Sequence, residues 1–514
     1  MPQNKLVIVN FGGQYVRLIA KKLREIGVFC EIIPPHKELS YFKRPEIKGI
    51  ILSGGPDSVN RNDVLNLDAD FFSLGKPVLG ICYGMQLMAE KLPGGEVADN
   101  FNSEYGRAEL SVIQENKFLK EIFTEGDSVW MSHGDSVKKA PHGFEVLART
   151  QKSPIVAIAD TEKNLYGVQF HPEVTHTTGG SRLLEKFAVK ICDMEIEWKL
   201  EDIVEDKVER IRDLLSPEDN IIIGLSGGVD SAVTAALIEK AVSDKITGIF
   251  IDHGLLRRGE AQQVKESFKQ AFDFPIYCLD ASSRFLQALQ GVKDPEEKRN
   301  IIGAKFISVF EEKAEELNNI THLAQGTIYS DVIESGLDQN AALIKSHHNV
   351  GGLPERMELK LLEPLRDFFK DEVRRIGEQL GLPSELIWRQ PFPGPGLAIR
   401  IIGKINKEKL EILRSADFIL QEELADLEIQ EEIWQAFAVL PDMKSVGVQG
   451  DARTYGYPII IRAVNSEEAM TADWVRIPHD IMDRIAGRIV DEISEVNRVV
   501  YDISSKPPAT IEWE

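Results

Sequence analysis

Cysteine is scarce in this sequence, with 4 residues among 514, at positions 30, 82, 192 and 278. They are too few and too widely spaced for a disulfide framework, and no two of them form the Cys-x-x-Cys pair that is typical of structural zinc sites. We therefore expect reduced thiols. A cysteine with a special role must owe that role to its local surroundings.

Long apolar runs are also missing. No stretch approaches the ~18 consecutive apolar residues that a membrane span requires. The opening residues, Met-Pro-Gln-Asn-Lys, lead into a short apolar run that is typical of a strand and not of a signal peptide. The sequence thus predicts a cytoplasmic protein with no membrane partner.

Positive charge is in deficit, because 60 Lys and Arg face 82 Asp and Glu, for a net charge of −22. Such a balance opposes broad attraction to nucleic acid, which normally needs clustered cations. We therefore expect no nucleic-acid partner. Anionic ligands would need local features such as glycine loops, helix N-termini, single Lys or Arg side chains and Mg²⁺.

The length and the pattern of predicted elements indicate an α/β protein. At ~100–200 residues for each domain, the chain suggests about three domains, which we place at 1–195, 196–393 and 394–514. Strands and helices alternate through the first of these, which predicts a parallel sheet with helices on both faces. Its predicted strands are Leu6–Asn10, Phe29–Ile33, Gly49–Leu52, Lys76–Ile81 and Tyr166–Phe170, and its predicted helices are Tyr15–Ile26 and Gly84–Lys91.

Cys82 lies between a predicted strand and a predicted helix, in the sequence Gly-Ile-Cys-Tyr-Gly. This pattern is typical of a nucleophile elbow with cysteine in place of serine, where the helix N-terminus favours the thiolate. A lone cysteine in an α/β core is usually only a small buried hydrophobe. The flanking glycines favour the elbow.

Two further strand ends carry candidate partners for Cys82. The sequence Gln-Phe-His-Pro-Glu at 169–173 offers His171 to take the thiol proton and Glu173 to orient its ring. Taken singly, each is compatible with a structural role. The Ser-Gly-Gly-Pro loop at 53–56 has main-chain N–H groups for half of an oxyanion hole, the other donor being the N–H after Cys82. The alternative for this loop is a plain Gly-Pro turn.

Along the chain, the Ser-Gly-Gly-Pro loop, the cysteine elbow and the Gln-Phe-His-Pro-Glu motif follow one another in that order. As a set they resemble class I (triad-type) glutamine amidotransferase domains over roughly residues 1–195. The resemblance implies that Cys82 attacks the side-chain amide of glutamine, that His171 shuttles protons and that Glu173 orients His171. It also implies a set of oxyanion and glutamine-binding residues, Gly54, Gly55, Tyr83 and Gln86, with the segment Trp130–Asp135 bordering the glutamine site.

The stretch 221–231 begins as an apolar β-branched run, turns through paired glycines and enters a helical pattern. Glycines let main-chain N–H groups approach an anion, and Ser226, Ser231 and the helix N-terminus add donors and partial positive charge. The loop lacks the spacer and the Lys-Ser/Thr pair of the common P-loop. On spacing alone, a tight strand-to-helix turn is an equally good interpretation.

Residues 196–393 repeat the alternation of strands and helices, which predicts a second doubly wound domain. The further predicted strands are Ile246–Ile251, Pro275–Leu279 and Thr321–Ala324, and polar groups follow two of them. Ligands of open α/β sheets bind at the carboxyl ends of the strands. The polar residues there, Asp252 with His253 and the segment Gln325–Asp331, together with the glycine loop, therefore predict a nucleotide pocket.

This part of the chain resembles the N-type ATP pyrophosphatase (PP-loop) family, whose glycine loop holds the pyrophosphate part of ATP. Asp230 is a plausible ligand of the Mg²⁺ that accompanies ATP, since that ion prefers oxygen ligands. Lys345, in a glycine-rich segment ending at Pro354, is expected to reach phosphate from a lid; a flexible surface loop is an equally good interpretation. The predicted ATP-binding residues are Ser226, Gly227, Gly228, Val229, Asp230, Ser231, Asp252, His253, Gly326, Thr327 and Lys345.

A proline-rich motif, Pro-Phe-Pro-Gly-Pro-Gly at 391–396, marks the second boundary, beyond which the pattern is α+β. Helices are predicted near Lys407–Leu427 and His479–Asn497, with strands near Ile459–Val464 and Arg498–Ile503. The fold class we predict is therefore α/β, with two doubly wound parallel-sheet domains followed by a smaller α+β domain.

With its terminal Lys-Pro-Pro-Ala-Thr-Ile-Glu-Trp-Glu, the chain is similar to the glutamine-hydrolysing GMP synthase family along essentially all 514 residues. The resemblance implies amination of xanthosine monophosphate (XMP) to GMP with ammonia from glutamine, through an adenylyl-XMP intermediate. It also implies that the third domain mediates a homodimer and completes the XMP site. The candidate XMP contacts are Arg299, Arg400, Gln449, Lys506, Ile511 and Glu512, with Lys506 serving the phosphate.

Two other classes of function stay open on the sequence. Another PP-loop enzyme, such as an NAD synthetase-like or tRNA-thiolating one, shares the glycine loop, although the acidic balance disfavours tRNA. A non-catalytic nucleotide sensor built on an inactive synthetase is the alternative from another class. Every expected catalytic residue type is present, which favours an enzyme.

Overall fold

The computed structural model describes residues 2–56, 58–59, 67–99, 102–113, 116–317, 319–337, 359–425, 433–449, 451–466 and 471–514. It contains two compact units, the first built mainly from residues up to Ile203 and the second from most of the chain beyond Val204. In the described parts of the chain, no helix combines the length and the apolar composition that a membrane span requires.

The described part of the first unit contains twelve strands, and those at the centre of its main sheet are buried along almost their whole length. In chain order they are β1 (Lys5–Val9), β2 (Cys30–Ile33), β3 (Ile47–Leu52), β4 (Val78–Ile81), β5 (Glu96–Ala98), β6 (Glu104–Glu109), β7 (Ser111–Val112), β8 (Ser128–His133), β9 (Ser136–Lys139), β10 (Glu145–Arg149), β11 (Ala157–Asp160) and β12 (Leu165–Val168). Its helices are α1 (Val16–Glu25), α2 (Leu39–Phe42), α3 (Tyr83–Lys91) and α4 (Gly180–Glu185), followed by α5 (Leu200–Leu214), which runs into the second unit.

Eight of these strands form one mixed sheet in the order β2-β1-β3-β4-β12-β11-β10-β7. The half from β2 to β12 is parallel, as predicted. The other half is antiparallel and was not predicted, because β10 to β12 follow one another through turns with no helix between them. Two small antiparallel pairs, β5-β9 and β6-β8, complete the unit. Cys82 and His171 follow the carboxyl ends of the neighbouring parallel strands β4 and β12, which brings them to one edge.

The second unit begins with an all-parallel sheet in the order β15-β14-β13-β16-β17, where β13 is Ile221–Gly224, β14 is Ile246–Asp252, β15 is Ile276–Asp280, β16 is His322–Ala324 and β17 is Lys360–Leu362. This confirms the predicted second parallel sheet. The helices of this part are α6 (Val229–Val242), α7 (Glu260–Ala271), α8 (Ser282–Ala288), α9 (Pro295–Glu316), α10 (Tyr329–Leu337), α11 (Lys370–Gln379) and α12 (Ser384–Ile387).

The remainder of the second unit is α+β, as predicted. A six-stranded sheet has the order β18-β19-β21-β20, with β22 and β23 also paired to β21. The strands are β18 (Ile401–Ile402), β19 (Gln435–Pro441), β20 (Ser445–Gln449), β21 (Ala452–Asn465), β22 (Asp473–Trp474) and β23 (Val496–Tyr501), and the helices are α13 (Lys407–Ala425) and α14 (His479–Glu492).

One hydrophobic core runs through both parts of the second unit. Ile222 and Ile249 of the parallel sheet belong to the same buried cluster as Leu413 of α13 and Ile459 of β21. The parallel sheet and the α+β part of this unit are therefore packed against each other, and the boundary between them at residues 393 and 394 stays a prediction. Burial of this shared apolar surface stabilises the second unit as a whole.

Candidate active sites

Cys82 stands in a strained turn between β4 and α3. Its φ of 52° lies in the left-handed region that residues other than glycine rarely adopt. Glycines permit the turn: a Cβ on Gly80 would lie 2.6 Å from the main chain of Gly84, and a Cβ on Gly84 would lie 2.4 Å from the carbonyl oxygen of Leu52. The chain thus has the geometry of a nucleophile elbow, with the thiol at the N-terminus of α3.

His171 and Glu173 follow β12 and are almost fully buried. The Nδ1 atom of His171 lies 2.7 Å from Oε1 of Glu173, which fixes the orientation of the ring. Burial disfavours the imidazolium, but the negative charges of Glu173 and Cys82 outweigh it, so the pKa of His171 lies well above its usual range. A cationic histidine beside the sulfur is typical of catalytic cysteines.

The loop that follows β3 packs directly against His171 and Cys82. A Cβ on Gly54 would lie 3.1 Å from Cε1 of His171 and 3.8 Å from Cβ of Cys82, and a Cβ on Gly55 would lie 3.2 Å from the ring of Tyr83. Glycine lets the main chain approach this closely. The structure brings Gly54, Gly55 and Tyr83 beside the nucleophile, while their role as oxyanion donors stays a prediction.

Two buried glutamine side chains connect the elbow to β12. Nε2 of Gln86 donates to the carbonyl oxygen of Asp135 at 2.7 Å and lies 3.3 Å from Oε1 of Gln169. Nε2 of Gln169 lies 3.6 Å from Sγ of Cys82. The predicted border segment also reaches the nucleophile, since the carbonyl oxygen of Ser132 lies 3.7 Å from the same sulfur. The sequence motif at 169–173 contains Gln169, but it does not reveal this contact.

The glycine loop of the second unit lies between β13 and α6, and its serine hydroxyls hold it in shape. The Oγ atoms of Ser226 and Ser231 lie 3.2 Å apart, the N–H of Gly228 donates to Ser226 at 3.3 Å, and Ser231 donates to the carbonyl oxygen of Gly228 at 3.0 Å. Gly227 has a φ of 80°, which favours glycine. The N-terminus of the 14-residue α6 follows directly with Val229. The arrangement is suited to an anion.

Two cations that the sequence did not single out contact this loop. Nζ of Lys370, at the start of α11, lies 2.6 Å from Oδ2 of Asp230. Arg389 donates to the carbonyl oxygen of Gly227 at 2.7 Å and pairs with Glu260. Burial lowers the pKa of Arg389 to about 10, so it keeps its charge at neutral pH. Each cation is more than one hundred residues from the loop in sequence, so no local motif reveals it.

Asp230 fits the role of a magnesium ligand. In the described part of the chain its Oδ1 is buried without a hydrogen-bond partner, while Oδ2 faces Lys370. Mg²⁺ typically combines one or two carboxylates with phosphate oxygens and water. No three His, Cys, Asp or Glu side chains within the described ranges form a metal-binding group.

Asp252 is the last residue of β14 and His253 follows it, but the two side chains have different surroundings. Oδ1 of Asp252 accepts from the N–H of Gly254 at 2.9 Å, which closes a turn. The ring of His253 is buried against Phe285 and Phe306, and its Nδ1 accepts from a main-chain N–H two residues on. Burial, and then the nearby Arg414, lower the pKa of His253 to about 4. His253 is therefore neutral at physiological pH, and its predicted contact with ATP stays a prediction.

The other predicted ATP-binding residues are placed as follows. A Cβ on Gly326 would lie 2.9 Å from the main chain of Asp230, so the loop after β16 adjoins the glycine loop. Oγ1 of Thr327 is buried, with no hydrogen-bond partner among the described residues. Lys345 and the rest of the predicted lid lie outside the described residues.

The structure places four of the six predicted XMP contacts, Arg299, Arg400, Ile511 and Glu512, at or against the C-terminal residues. Arg400 is fully buried and pairs with Glu512 at 2.8 Å, and Arg299 donates to the main-chain oxygen of Glu514 at 2.6 Å. Ile511 directly precedes Glu512 in the sequence. Its side chain is buried and packs in a cluster with residues of β19 and β21. The other two candidates lie on separate elements, with Gln449 ending β20 and the main chain of Lys506 bridged to Ala472.

Three family models match consecutive parts of the chain. The glutamine amidotransferase class-I model matches residues 7–191, the NAD synthase model matches residues 198–296, and the GMP synthase C terminal domain model matches residues 422–513. The first and second matches include Cys82 and the glycine loop, respectively.

Proteins with the same overall length are similar along the whole chain. The glutamine-hydrolysing GMP synthase of Halothermothrix orenii is 54% identical over 514 residues, and that of Natranaerobius thermophilus is 52% identical over 518 residues, each match covering 100% of both chains. The corresponding protein of Lactobacillus gasseri is 51% identical over 511 residues, which cover 99% of this chain and 98% of the relative. This chain belongs to the glutamine-hydrolysing GMP synthase family.

Proposed function

We propose that this protein aminates XMP to GMP, using ATP and ammonia from glutamine. The observation that carries the proposal is the presence of two different reactive sites in one chain. The first unit holds Cys82 in an elbow beside the Glu173–His171 pair, and the second holds a glycine loop contacted by Lys370 and Arg389. Full-length relatives named as glutamine-hydrolysing GMP synthases support the combination.

In the first unit, the Cys82 thiolate attacks the side-chain carbonyl carbon of glutamine. A sulfur lone pair forms the new bond while the carbonyl electron pair moves to oxygen, where the N–H groups of the 54–55 loop and of Tyr83 stabilise it. His171 then gives its proton to the departing nitrogen, which leaves as ammonia. Water, deprotonated by His171, attacks the γ-glutamyl thioester, and glutamate leaves as the C–S bond breaks, which restores the Cys82 thiolate and the protonated His171.

In the second unit, the 2-oxygen of XMP attacks the α-phosphorus of ATP and pyrophosphate departs. Adenylation converts a poor oxygen leaving group into AMP, which ammonia displaces at C2 to give GMP. The glycine loop and Lys370 neutralise the charge that develops on pyrophosphate. Mg²⁺ held by Asp230 would supply further stabilisation of that charge. Arg299, Arg400, Gln449, Lys506, Ile511 and Glu512 are the proposed XMP contacts, with Lys345 on ATP.

The division of labour is tested by replacing the nucleophile. Cys82→Ala should abolish GMP formation from glutamine and leave GMP formation from added ammonium at the level of the unsubstituted protein. The matched control is Cys278→Ser, which changes the exposed cysteine of the second unit and should spare both activities. Loss of both activities in a folded Cys82→Ala protein would contradict the division.

A second candidate is an NAD synthetase-like reaction, because the NAD synthase model matches residues 198–296. Both reactions adenylate an oxygen, so the glycine loop does not separate them. We favour XMP because residues 422–513 match the GMP synthase C terminal domain. AMP release measured with XMP or with deamido-NAD as sole acceptor discriminates the two, and release only with deamido-NAD would overturn our choice.

The proposed assembly is a homodimer formed by the sheet of the C-terminal part. Val446, Val448 and Tyr455 are exposed, and the exposed fraction of Val448 is 75%. They share one face of the β20–β21 hairpin, because Val446 pairs with Tyr455 across the strands and Val448 lies two residues further along β20. An apolar face of this kind suits a second copy of the chain. Sedimentation equilibrium of Val448→Lys should show a shift toward monomer; an unchanged mass would exclude this face. The proposed location is the cytoplasm, where the four cysteines, which form no disulfide, stay reduced.

A further inference from the structure

The proposed reaction steps give no role to the side-chain amide of Gln169 in the cysteine site. It is fully buried, and its Nε2 lies 3.6 Å from the reacting sulfur of Cys82. Its orientation follows from a chain of contacts. The carbonyl oxygen of Asp135 can only accept, so the Gln86 atom 2.7 Å away is the NH₂ group.

The same NH₂ group of Gln86 determines the orientation of the Gln169 side-chain amide. It lies 3.3 Å from Gln169, so the facing atom of Gln169 must be the acceptor Oε1. The donor end of Gln169 therefore points at Cys82. His133 supports the chain from the other side, because its Nδ1 lies 2.9 Å from the carbonyl oxygen of Asp135 and must carry the proton there.

The sulfur of Cys82 thus faces two opposite preferences. The carbonyl oxygen of Ser132, 3.7 Å away, accepts a hydrogen bond only from the protonated thiol. The amide of Gln169 donates to sulfur and is most favourable when the sulfur is ionised. The charged His171 acts in the same direction as Gln169.

We propose that Gln169 is a further catalytic residue, whose amide stabilises the Cys82 thiolate by a hydrogen bond. Gln86 and His133 are positioning residues, since they act on the sulfur only through Gln169 and the Asp135 carbonyl. The donor favours the resting thiolate, and its bond weakens when the sulfur loses its charge on forming the thioester. This inference rests on the proposed glutaminase step at Cys82.

The test measures the pH dependence of Cys82 alkylation by iodoacetamide, in a Cys278→Ser background that removes the exposed thiol. Gln169→Leu should move the midpoint of the alkylation profile upward by about one pH unit, which is about a tenfold loss of thiolate at a given pH. Gln169→Glu has nearly the same volume, and its charge should move the midpoint at least as far. Gln86→Leu should give a smaller shift in the same direction.

The matched control is Asp160→Asn. Asp160 is a buried polar residue that ends β11, beside the first residue of β12, and it bonds to Lys163, so its replacement should leave the midpoint in place. Ammonium-dependent GMP synthesis should be unchanged in every variant. A purely structural Gln169 would lower glutaminase activity without moving the alkylation midpoint, and that outcome in a folded Gln169→Leu protein would overturn the proposal. The proposed function fails separately, if the unsubstituted protein does not hydrolyse glutamine.

Discussion

In the first unit the reactive side chains contact one another, whereas in the second unit the glycine loop is held by side chains from distant parts of the chain. His171 bonds to Glu173 two residues away, next to the strained Cys82. The glycine loop instead receives Lys370 and Arg389 from far along the sequence. A covalent nucleophile must be oriented before its substrate arrives. The glycine loop, in contrast, can gain its remaining contacts when ATP and its metal bind.

One buried histidine from each unit, His171 and His253, shows a similar contrast in charge. Negative neighbours raise the pKa of His171 well above its usual range despite burial, whereas burial and Arg414 lower the pKa of His253 to about 4. The two histidines therefore change the stability of the protein in opposite directions as the pH rises. The stabilisation from charged His171 is complete below pH 6.5 and is lost as pH rises through its folded pKa, while stability linked to His253 is lost as pH falls from 6.5 toward 4.

The largest expected effect comes from removing the charged histidine. His171→Asn should lower glutamine hydrolysis by about a thousandfold, because it removes both the proton shuttle and the partner of the thiolate. Ammonium-dependent GMP synthesis, measured in the same preparation, should be unchanged. A parallel fall of the two rates would mean that the cysteine site also supports the second unit.

Removing the neutral histidine should change stability and not the glutaminase step. The unsubstituted protein should lose on the order of 3 kcal/mol of unfolding free energy from the second unit between pH 6.5 and 4 through His253. His253→Asn keeps an acceptor for the main-chain N–H and does not titrate, so this part of the pH dependence should vanish in urea unfolding curves. The exposed His479 is the matched control, and an equal change in His479→Asn would contradict the assignment.

Asp230→Asn tests the proposed magnesium ligand of the second unit. The substitution removes the charge that faces Lys370 and one proposed magnesium ligand, so GMP synthesis from either nitrogen source should fall about a hundredfold. Glutamine hydrolysis should persist, since its residues lie in the first unit. Raising the Mg²⁺ concentration should recover part of the lost rate. The exposed Asp244 provides the control, Asp244→Asn, and an equal loss there would remove the specificity of the result.

The sequence predicts the first site better than the second for a physical reason. Cys82, His171 and Glu173 are recognisable because strand ends place them at one sheet edge within short motifs. Lys370 and Arg389 depend on tertiary packing, so no local pattern reveals them. The antiparallel half of the first sheet was missed in the same way, since its short strands pair through turns and give little periodicity.

The smallest expected effect concerns how distant side chains shape the glycine loop. Gly227 and Gly291 have φ of 80° and 87°, but a Cβ on Gly227 would lie 2.2 Å from Nη1 of Arg389, whereas nothing lies within 4 Å of one on Gly291. Replacing either by Ala should cost about 1 kcal/mol of stability through backbone strain. Only Gly227→Ala should displace Arg389 and lower GMP synthesis, by about tenfold, through the lost hydrogen bond. If Gly291→Ala lowers synthesis equally, backbone strain alone accounts for the effect and Arg389 has no part in shaping the loop.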